Sequence, residues 1–155
     1  MSRWNVLIDL IKTNGYKNIA EIGVNKGKTT RKILEACELD SYGLVDPVCN
    51  PLLSTYLEAY PIAYYYTMTS CLASKLYQDN SLDLVFIDAL HGYDNVLEDI
   101  SLWQPKIREG GILCGDDYDQ AHCEGVKQAV DEVFGDRVEL VEVGRKGAKV
   151  WIVRL

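Results

Sequence analysis

The sequence predicts a single α/β domain over residues 1–155, with a doubly wound, mostly parallel sheet of seven strands and an antiparallel edge strand. Three observations lead to this prediction. Short apolar segments alternate with helical segments about every 20 to 25 residues, which is typical of β-α-β units. Residues 84–87 are continuously apolar, as expected of a parallel strand covered on both faces. The last two strand-like segments have no helix between them, so they can pair antiparallel.

Helices are predicted where apolar residues recur at helical spacing, and strands where short apolar runs end in polar or turn residues. The first helix carries four apolar residues on one face: Val6, Leu7, Leu10 and Ile11. The predicted helices span residues 4–12, 29–39, 52–60, 72–77, 93–103 and 124–134. The predicted strands span residues 18–23, 41–46, 62–67, 82–88, 112–114, 138–143 and 149–153, with a turn at 144–147.

Composition excludes several classes of protein. Forty-eight per cent of the residues are hydrophobic, enough for a core that needs no disulfides. The net charge of −7 argues against nucleic acid as a partner, because Lys and Arg supply most phosphate affinity. No apolar run is long enough for a membrane span, and the first residues do not resemble a signal peptide. The five cysteines form no C-x-x-C motif, so we expect reduced thiols and a cytoplasmic protein.

In an open parallel sheet, ligands bind beyond the carboxyl ends of the strands. The first strand ends in a loop with the pattern Glu21-x-Gly23-x-x-x-Gly27-x-Thr29. A P-loop would need glycine in place of Ile22, and a dinucleotide loop would need glycine in place of Asn25. These departures weaken both interpretations without excluding them, because the apolar run that ends at Asp88 is similar to a Walker B strand. Two further alternatives are a looser ligand-binding loop and a glycine turn that binds nothing.

Polar residues also follow the second and third strands. The carboxylate of Asp46 could accept both hydroxyls of a ribose, or Asp46 could simply start the turn before Pro47. Thr69 and Ser70 are suitably placed for an adenine edge, although a helix cap is an equal alternative.

The fourth and fifth strands end in carboxylates at the same edge of the sheet. Asp88, Asp116 and Asp117 could converge on one divalent cation, for which Mg²⁺ is suited, because like charges this close repel one another. The alternative is that Asp116 or Asp117 caps the following turn and only Asp88 faces the site. His91 lies three residues after Asp88 and is the predicted general base, with His122 as a rival.

These motifs together resemble the class I S-adenosylmethionine-dependent methyltransferases, whose sheet is Rossmann-like. The glycine loop, Asp46 and the segment from Asp88 through His91 to Tyr93 carry the resemblance, which runs from about residue 21 to residue 118. Within that family the Asp-x-x-His-x-Tyr pattern is similar to a branch of small-molecule and sugar O-methyltransferases.

The resemblance implies that Glu21, Gly23, Gly27 and Thr29 surround the methionine part of the cofactor. It implies a ribose on Asp46, with Thr69, Ser70 and Asp88 as further cofactor-binding positions. It also implies catalysis by Asp88 and His91, with Mg²⁺ on Asp88, Asp116 and Asp117.

The expected reaction is methyl transfer from S-adenosylmethionine to an oxygen of a small-molecule acceptor. Only about 17 residues precede the first strand, whereas many relatives carry a longer amino-terminal region that helps to build the acceptor pocket. A pocket shared across a homodimer, an open site or a partner subunit would compensate. The alternative function is a non-catalytic S-adenosylmethionine-binding module or partner subunit.

Overall fold

The computed structural model describes residues 1–144 and 147–155. The strands are β1 (Asn18–Ile22), β2 (Ser41–Val45), β3 (Ala63–Tyr66), β4 (Leu82–Ile87), β5 (Ile107–Tyr118), β6 (Glu139–Val143) and β7 (Ala148–Arg154). The α-helices are α1 (Arg3–Asn14), α2 (Lys28–Ala36), α3 (Pro51–Leu57), α4 (Ser70–Ser74), α5 (Tyr93–Trp103) and α6 (Glu124–Phe134). Short 3₁₀ turns cover Gln104–Lys106 and Gly135–Arg137.

All seven strands belong to one sheet with the order β3-β2-β1-β4-β5-β7-β6. Strands β1 to β5 pair in parallel, whereas β7 runs antiparallel to both β5 and the edge strand β6. The prediction of a mostly parallel, seven-stranded sheet with antiparallel pairing at one edge is therefore confirmed. Of the predicted turn between β6 and β7, residues 145 and 146 lie outside the described residues.

Helices pack on both faces of the sheet. Helices α1, α2 and α3 cover one face through side chains such as Leu7, Ile33 and Leu53. Helices α4, α5 and α6 cover the other face, where Trp103 and Val130 are fully buried. Two apolar layers therefore enclose the parallel strands, as the continuous apolar run in β4 indicated. Within the described residues, no helix is long and apolar enough to cross a lipid bilayer.

Strand β5 differs most from its predicted span. The apolar run indicated residues 112–114, but the strand extends over 12 residues from Ile107 to Tyr118. Its carboxyl end pairs with β7, and the register shifts between Gly115 and Tyr118. Asp116 and Asp117 therefore lie in an irregular part of the strand, not in a loop after it. The polar end of β5 has no apolar pattern of its own, so its strand conformation can be recognised only from its pairing with β7.

Asp83 lies near the start of β4, at the end of the sheet where the parallel strands begin, and connects three strands there. Its Oδ2 accepts hydrogen bonds from the amides of Lys17 (2.7 Å) and Asn18 (2.8 Å), and its Oδ1 accepts one from Nε of Arg108 (2.6 Å). Burial raises the pKa of Asp83, but the two amides and the guanidinium outweigh burial and hold that pKa below its usual value. The carboxylate thus fixes the start of β1 against β4 and β5.

We expect Asp83→Asn to lower the free energy of unfolding by about 1–3 kcal/mol, the range for hydrogen bonds to a charged group. Because the folded pKa of Asp83 is lowered, the stability that its carboxylate contributes to the natural chain is fully present above the unfolded pKa near 4. That contribution is lost as the pH falls through the lower folded pKa, so the two proteins should converge in acid. Urea unfolding at pH 7 and pH 3 measures both effects. Asp79→Asn is the matched control, since Asp79 forms only an exposed ion pair with Lys106. Equal losses in the two variants would contradict this account.

Candidate functional site

The candidate site lies where the strand order reverses, between the carboxyl ends of β1 and β4. Gly23 follows β1 with φ at +90°, and a Cβ built on it would lie 2.1 Å from the carbonyl oxygen of Asp88. A side chain at position 23 would push these two strand ends apart. Glycine is therefore required for the chain to turn away from β1 while remaining against β4.

A crevice of about 520 Å³ opens above this point. Its lining residues are Arg3, Gly23, Val24, Asn25, Lys26, Lys28, Thr29, Asp46, Pro47, Asp88, Ala89, Leu90 and His91. A second cavity of about 220 Å³ adjoins it and shares four of these residues: Gly23, Pro47, Ala89 and Leu90. Both volumes together lie within the range of small-molecule and cofactor sites.

Most of the predicted cofactor residues line these two cavities. The larger crevice contains Gly23, Thr29, Asp46, Asp88 and His91, and the smaller cavity contains Thr69 and Ser70. Glu21, in β1, and Gly27, at the end of the loop before α2, are not among the residues that line either cavity.

The packing of the loop against α3 explains why glycine occupies position 27. Its φ is +68°, and a Cβ on it would lie 2.5 Å from a methyl carbon of Leu53 in α3. The second glycine of the motif thus allows the loop to enter α2 while packing against α3. The contact of Gly27 with a cofactor, which the resemblance implied, stays a prediction.

Glu21 is a buried carboxyl in β1, only 2% exposed. It accepts hydrogen bonds from the hydroxyls of Tyr42 (2.5 Å) and Thr30 (2.8 Å), and so connects β1 to β2 and to α2. Burial raises its pKa to about 7, against the lowering effect of these two hydrogen bonds. Glu21 therefore supports the glycine loop from below.

Asp46 lies after β2, where the sequence predicted it. Its Oδ2 accepts hydrogen bonds from the amides of Val24 (3.1 Å) and Asn25 (2.7 Å), and its Oδ1 accepts one from the amide of Val48 (2.8 Å). A carboxylate offers about four acceptor positions, so one remains for a ligand hydroxyl. Asp46 thus shapes the glycine loop while facing the crevice.

The smaller cavity has a polar end formed by α4 and α5. The Nε1 of Trp103 donates a hydrogen bond to Oγ of Ser70 (2.8 Å). Asp99 lines the same cavity and is 6% exposed; burial raises its pKa, while a hydrogen bond with Ser70 lowers it. Thr69 is the residue before α4, so both sequence interpretations, a helix start and a ligand-facing segment, fit its position.

The three carboxylates predicted to lie together do so. Oxygen atoms of Asp88, Asp116 and Asp117 lie within 4.8 Å of one another. The irregular end of β5 makes this possible: Asp117 has φ of 60°, so two successive residues of one strand approach the same point. Burial, together with Asp116 and Asp117, raises the pKa of Asp88 to about 8 despite the opposing effect of Arg3.

Sequence reasoning missed Arg3, which lies among these carboxylates. Its Nη1 is 3.0 Å from Oδ2 of Asp88 and 2.5 Å from Oδ2 of Asp116. Its Nε donates a hydrogen bond to Oγ1 of Thr29 (3.2 Å). The signal was present in the first helix, because Arg3 precedes the buried residues Val6 and Leu7 by one helical turn and so continues their face.

His91 lies at the mouth of the crevice, with 40% of its side chain exposed. Its Nε2 is 2.8 Å from Oδ2 of Asp117, although the ring is not aligned for a hydrogen bond with good geometry. The nearby imidazole lowers the pKa of Asp117, but burial and Asp116 outweigh it and raise that pKa overall. His122 is exposed and lies outside the residues lining the crevice, so the geometry favours His91 over its rival.

Comparison with known proteins agrees with this arrangement. A family model described as a methyltransferase domain matches residues 20–118, which include most of β1, all of β2 to β5 and the residues that line the crevice other than Arg3. The chain belongs to this methyltransferase family. No curated protein sequence matches the chain.

Solved structures of methyltransferases and of a spermidine synthase share the fold. A candidate O-methyltransferase from Klebsiella pneumoniae superposes with a TM-score of 0.76 at 20% identity, covering 99% of this chain and 80% of that one. The O-methyltransferase from Bacillus cereus in complex with SAH gives 0.74 at 18% identity, with coverages of 97% and 78%. Spermidine synthase from Thermotoga maritima also matches, with a TM-score of 0.63, 15% identity and coverages of 97% and 56%. The class I, Rossmann-like fold implied by the sequence resemblance is confirmed, and the narrower Asp-x-x-His-x-Tyr branch stays a prediction.

The raised pKa of Glu21 predicts an unusual pH dependence of stability. Since the folded pKa of about 7 lies above the unfolded value near 4.5, the folded state binds the extra proton between these values. The free energy of unfolding should therefore fall as the pH rises from 5 to 7, with a contribution of about 1 kcal/mol per pH unit from Glu21.

Glu21→Gln should flatten this slope, because glutamine has no proton to lose and its carbonyl can still accept from Tyr42 or Thr30. Urea unfolding at pH 5, 6 and 7 measures it. Glu35→Gln, at an exposed position of α2, should leave the slope of the natural chain unchanged. Identical slopes in all three proteins would show that Glu21 keeps an ordinary pKa.

Proposed function

We propose that this protein transfers a methyl group from S-adenosylmethionine to an oxygen of a small-molecule acceptor. One observation carries the proposal. In a methyltransferase-family chain, a single crevice joins the glycine loop and Asp46 to Asp88 and His91, and Asp117 lies behind His91, 2.8 Å from its Nε2. This juxtaposition supports a cofactor site beside a proton-accepting group.

The two adjoining cavities fit the parts of the cofactor. The smaller, more apolar cavity with Thr69, Ser70 and Asp99 suits an adenine ring, with polar groups at one end to fix its orientation. The remaining acceptor position on Asp46 suits a ribose hydroxyl. The backbone after Gly23 and the side chain of Thr29 border the space for the methionine part.

When bound, S-adenosylmethionine supplies an electrophilic methyl group on a sulfonium ion. The work of the chain is then to align an acceptor hydroxyl with that methyl group and to remove the hydroxyl proton. His91 is the general base in this proposal, because it lines the crevice and an imidazole nitrogen can accept the proton of an acceptor hydroxyl. Asp117, 2.8 Å from Nε2, would stabilise the imidazolium that forms.

A divalent metal does not fit the observed arrangement of the carboxylates. The oxygen atoms of Asp88 and Asp116 that would share a cation already contact Nη1 of Arg3. We therefore derive no step through Mg²⁺. A homodimer whose two copies share the acceptor pocket stays a prediction.

Cofactor binding is tested by titration calorimetry with S-adenosylmethionine. We expect binding that neither ATP nor NAD competes with. Asp46→Ala should weaken it about 10- to 100-fold, because it removes a charge-assisted acceptor and releases the amides of Val24 and Asn25. Asp40→Ala, at the exposed amino end of β2, is the matched control and should bind normally. Tight ATP binding without any response to S-adenosylmethionine would refute the proposal.

The base is tested by measuring the S-adenosylhomocysteine formed from S-adenosylmethionine in the presence of each of a panel of hydroxylated small molecules. His91→Ala should lower turnover by about 10²- to 10⁴-fold with little change in cofactor affinity, since a general base acts on the acceptor. His122→Ala controls for the loss of an exposed histidine from the neighbouring loop. Cofactor binding without turnover on any acceptor would instead favour a non-catalytic binding module.

A further inference from the structure

Arg3 connects three elements of the site through one guanidinium. It starts α1, and it contacts Asp88 after β4, Asp116 near the end of β5 and Thr29 at the start of α2. Only 30% of its side chain is exposed. An arginine in this position is part of the site wall and not a surface residue that happens to lie nearby.

The charges around it are those that favour a cation. Asp88, Asp116 and Asp117 each place an oxygen within 4.8 Å of the others. In the described parts of the chain, Arg3 is the residue that forms ion pairs with Asp88 and Asp116, while His91 approaches Asp117. The guanidinium keeps its positive charge at any accessible pH, so this compensation is permanent.

We infer that Arg3 is a built-in cation that takes the place of a divalent metal ion at Asp88 and Asp116. Arg3 is then a positioning residue: it holds the two carboxylates and Thr29 in fixed relation to the crevice. Methyl transfer by this site would need no added metal, a consequence that rests on the proposed function. The inference that Arg3 replaces a metal ion does not rest on the proposed function, because it concerns only the contacts between Arg3 and the carboxylates.

The packing of α1 explains why the guanidinium stays there. Val6, Leu7 and Ile11 are buried against the sheet, with Leu7 completely inaccessible to solvent. The backbone of α1 is therefore fixed, and the side chain one turn before Val6 and Leu7 must point along the same face toward the strand ends. No separate loop is needed to deliver the charge.

One oxygen atom of Asp116 indicates that the carboxylates could bind a metal ion if Arg3 were absent. Asp116 is only 8% exposed, and its Oδ1 is buried with no hydrogen-bond partner among the described residues. Without Arg3, the three carboxylates would retain this free oxygen and gain two more. Such a set of hard oxygen ligands is what Mg²⁺ or Mn²⁺ binds. Removing Arg3 should therefore turn an ion-paired cluster into a metal site.

The test is a titration of the full chain with Mn²⁺, in which the electron paramagnetic resonance signal of the free ion measures how much Mn²⁺ is unbound. Arg3→Met removes the charge and retains an unbranched apolar stem. We expect Mn²⁺ affinity to rise by about tenfold or more over the natural chain, because a repelling charge a few ångströms away is lost. The gain should vanish in the double variant Arg3→Met with Asp116→Asn. Arg108→Met, which breaks the ion pair with Asp83 at the other edge of the sheet, should show no gain.

Two results would overturn the inference: Mn²⁺ binding by the natural chain that Asp116→Asn abolishes, or no gain in affinity in a folded Arg3→Met. Arg3→Lys keeps the charge and should resemble the natural chain. Circular dichroism reports whether each variant folds. If Arg3→Met does not fold, titration of the natural chain decides: Mn²⁺ binding that Asp116→Asn abolishes contradicts the inference, and absence of binding supports it. Since these readouts involve no methyl transfer, failure of the proposed function shows separately, in the calorimetry with S-adenosylmethionine.

Discussion

The site depends on the close approach of β1 and β4 at their carboxyl ends. The amide of Asp88 donates a hydrogen bond to the carbonyl of Ile22 (2.7 Å), and Gly23 leaves the strand with no side chain to interfere. Because the strand order reverses here, α2 packs on one face of the sheet and α5 on the other. The chain segments after the two strands therefore separate, and the crevice is the space between them. Each functional side chain described above is positioned relative to this contact.

Several carboxyl groups lie around the crevice, and each has a different kind of partner. Neutral hydroxyls satisfy Glu21, backbone amides satisfy Asp46, and a guanidinium compensates Asp88 and Asp116. Burial acts on these carboxyls whatever their partner. It raises the pKa of Glu21 to about 7 against the effect of two hydroxyls, and it raises the pKa of Asp88 to about 8 against the effect of Arg3. Protonation is therefore adjustable both beneath the loop and at the carboxyl beside Arg3.

Much of this arrangement could be predicted from the sequence, because local patterns encode it. The apolar run of β4 and the spacing within α5 gave their spans closely, and the strand-end rule placed Asp46, Asp88 and His91 at one edge. The irregular end of β5 could not be predicted, since it arises from pairing with a strand about 30 residues later. The position of Arg3 against Asp116 was missed for the same reason: it joins residues 113 positions apart, and only the packing of α1 brings them together.

The packing of α1 links the stability of the protein to the electrostatics of its site. The same helix buries Leu7 in the core and directs Arg3 to the carboxylates, so a change that loosens α1 also removes a positive charge from the crevice. The chain as a whole carries a net charge of −7, yet Lys26 and Lys28 of the glycine loop line the crevice together with Arg3. An acidic protein thus has a site wall rich in positive charge. The positive charges of that wall balance the carboxylates of the site. Among them, Arg3 is held in place by the apolar packing of α1, although its partner Asp116 lies 113 positions later in the chain.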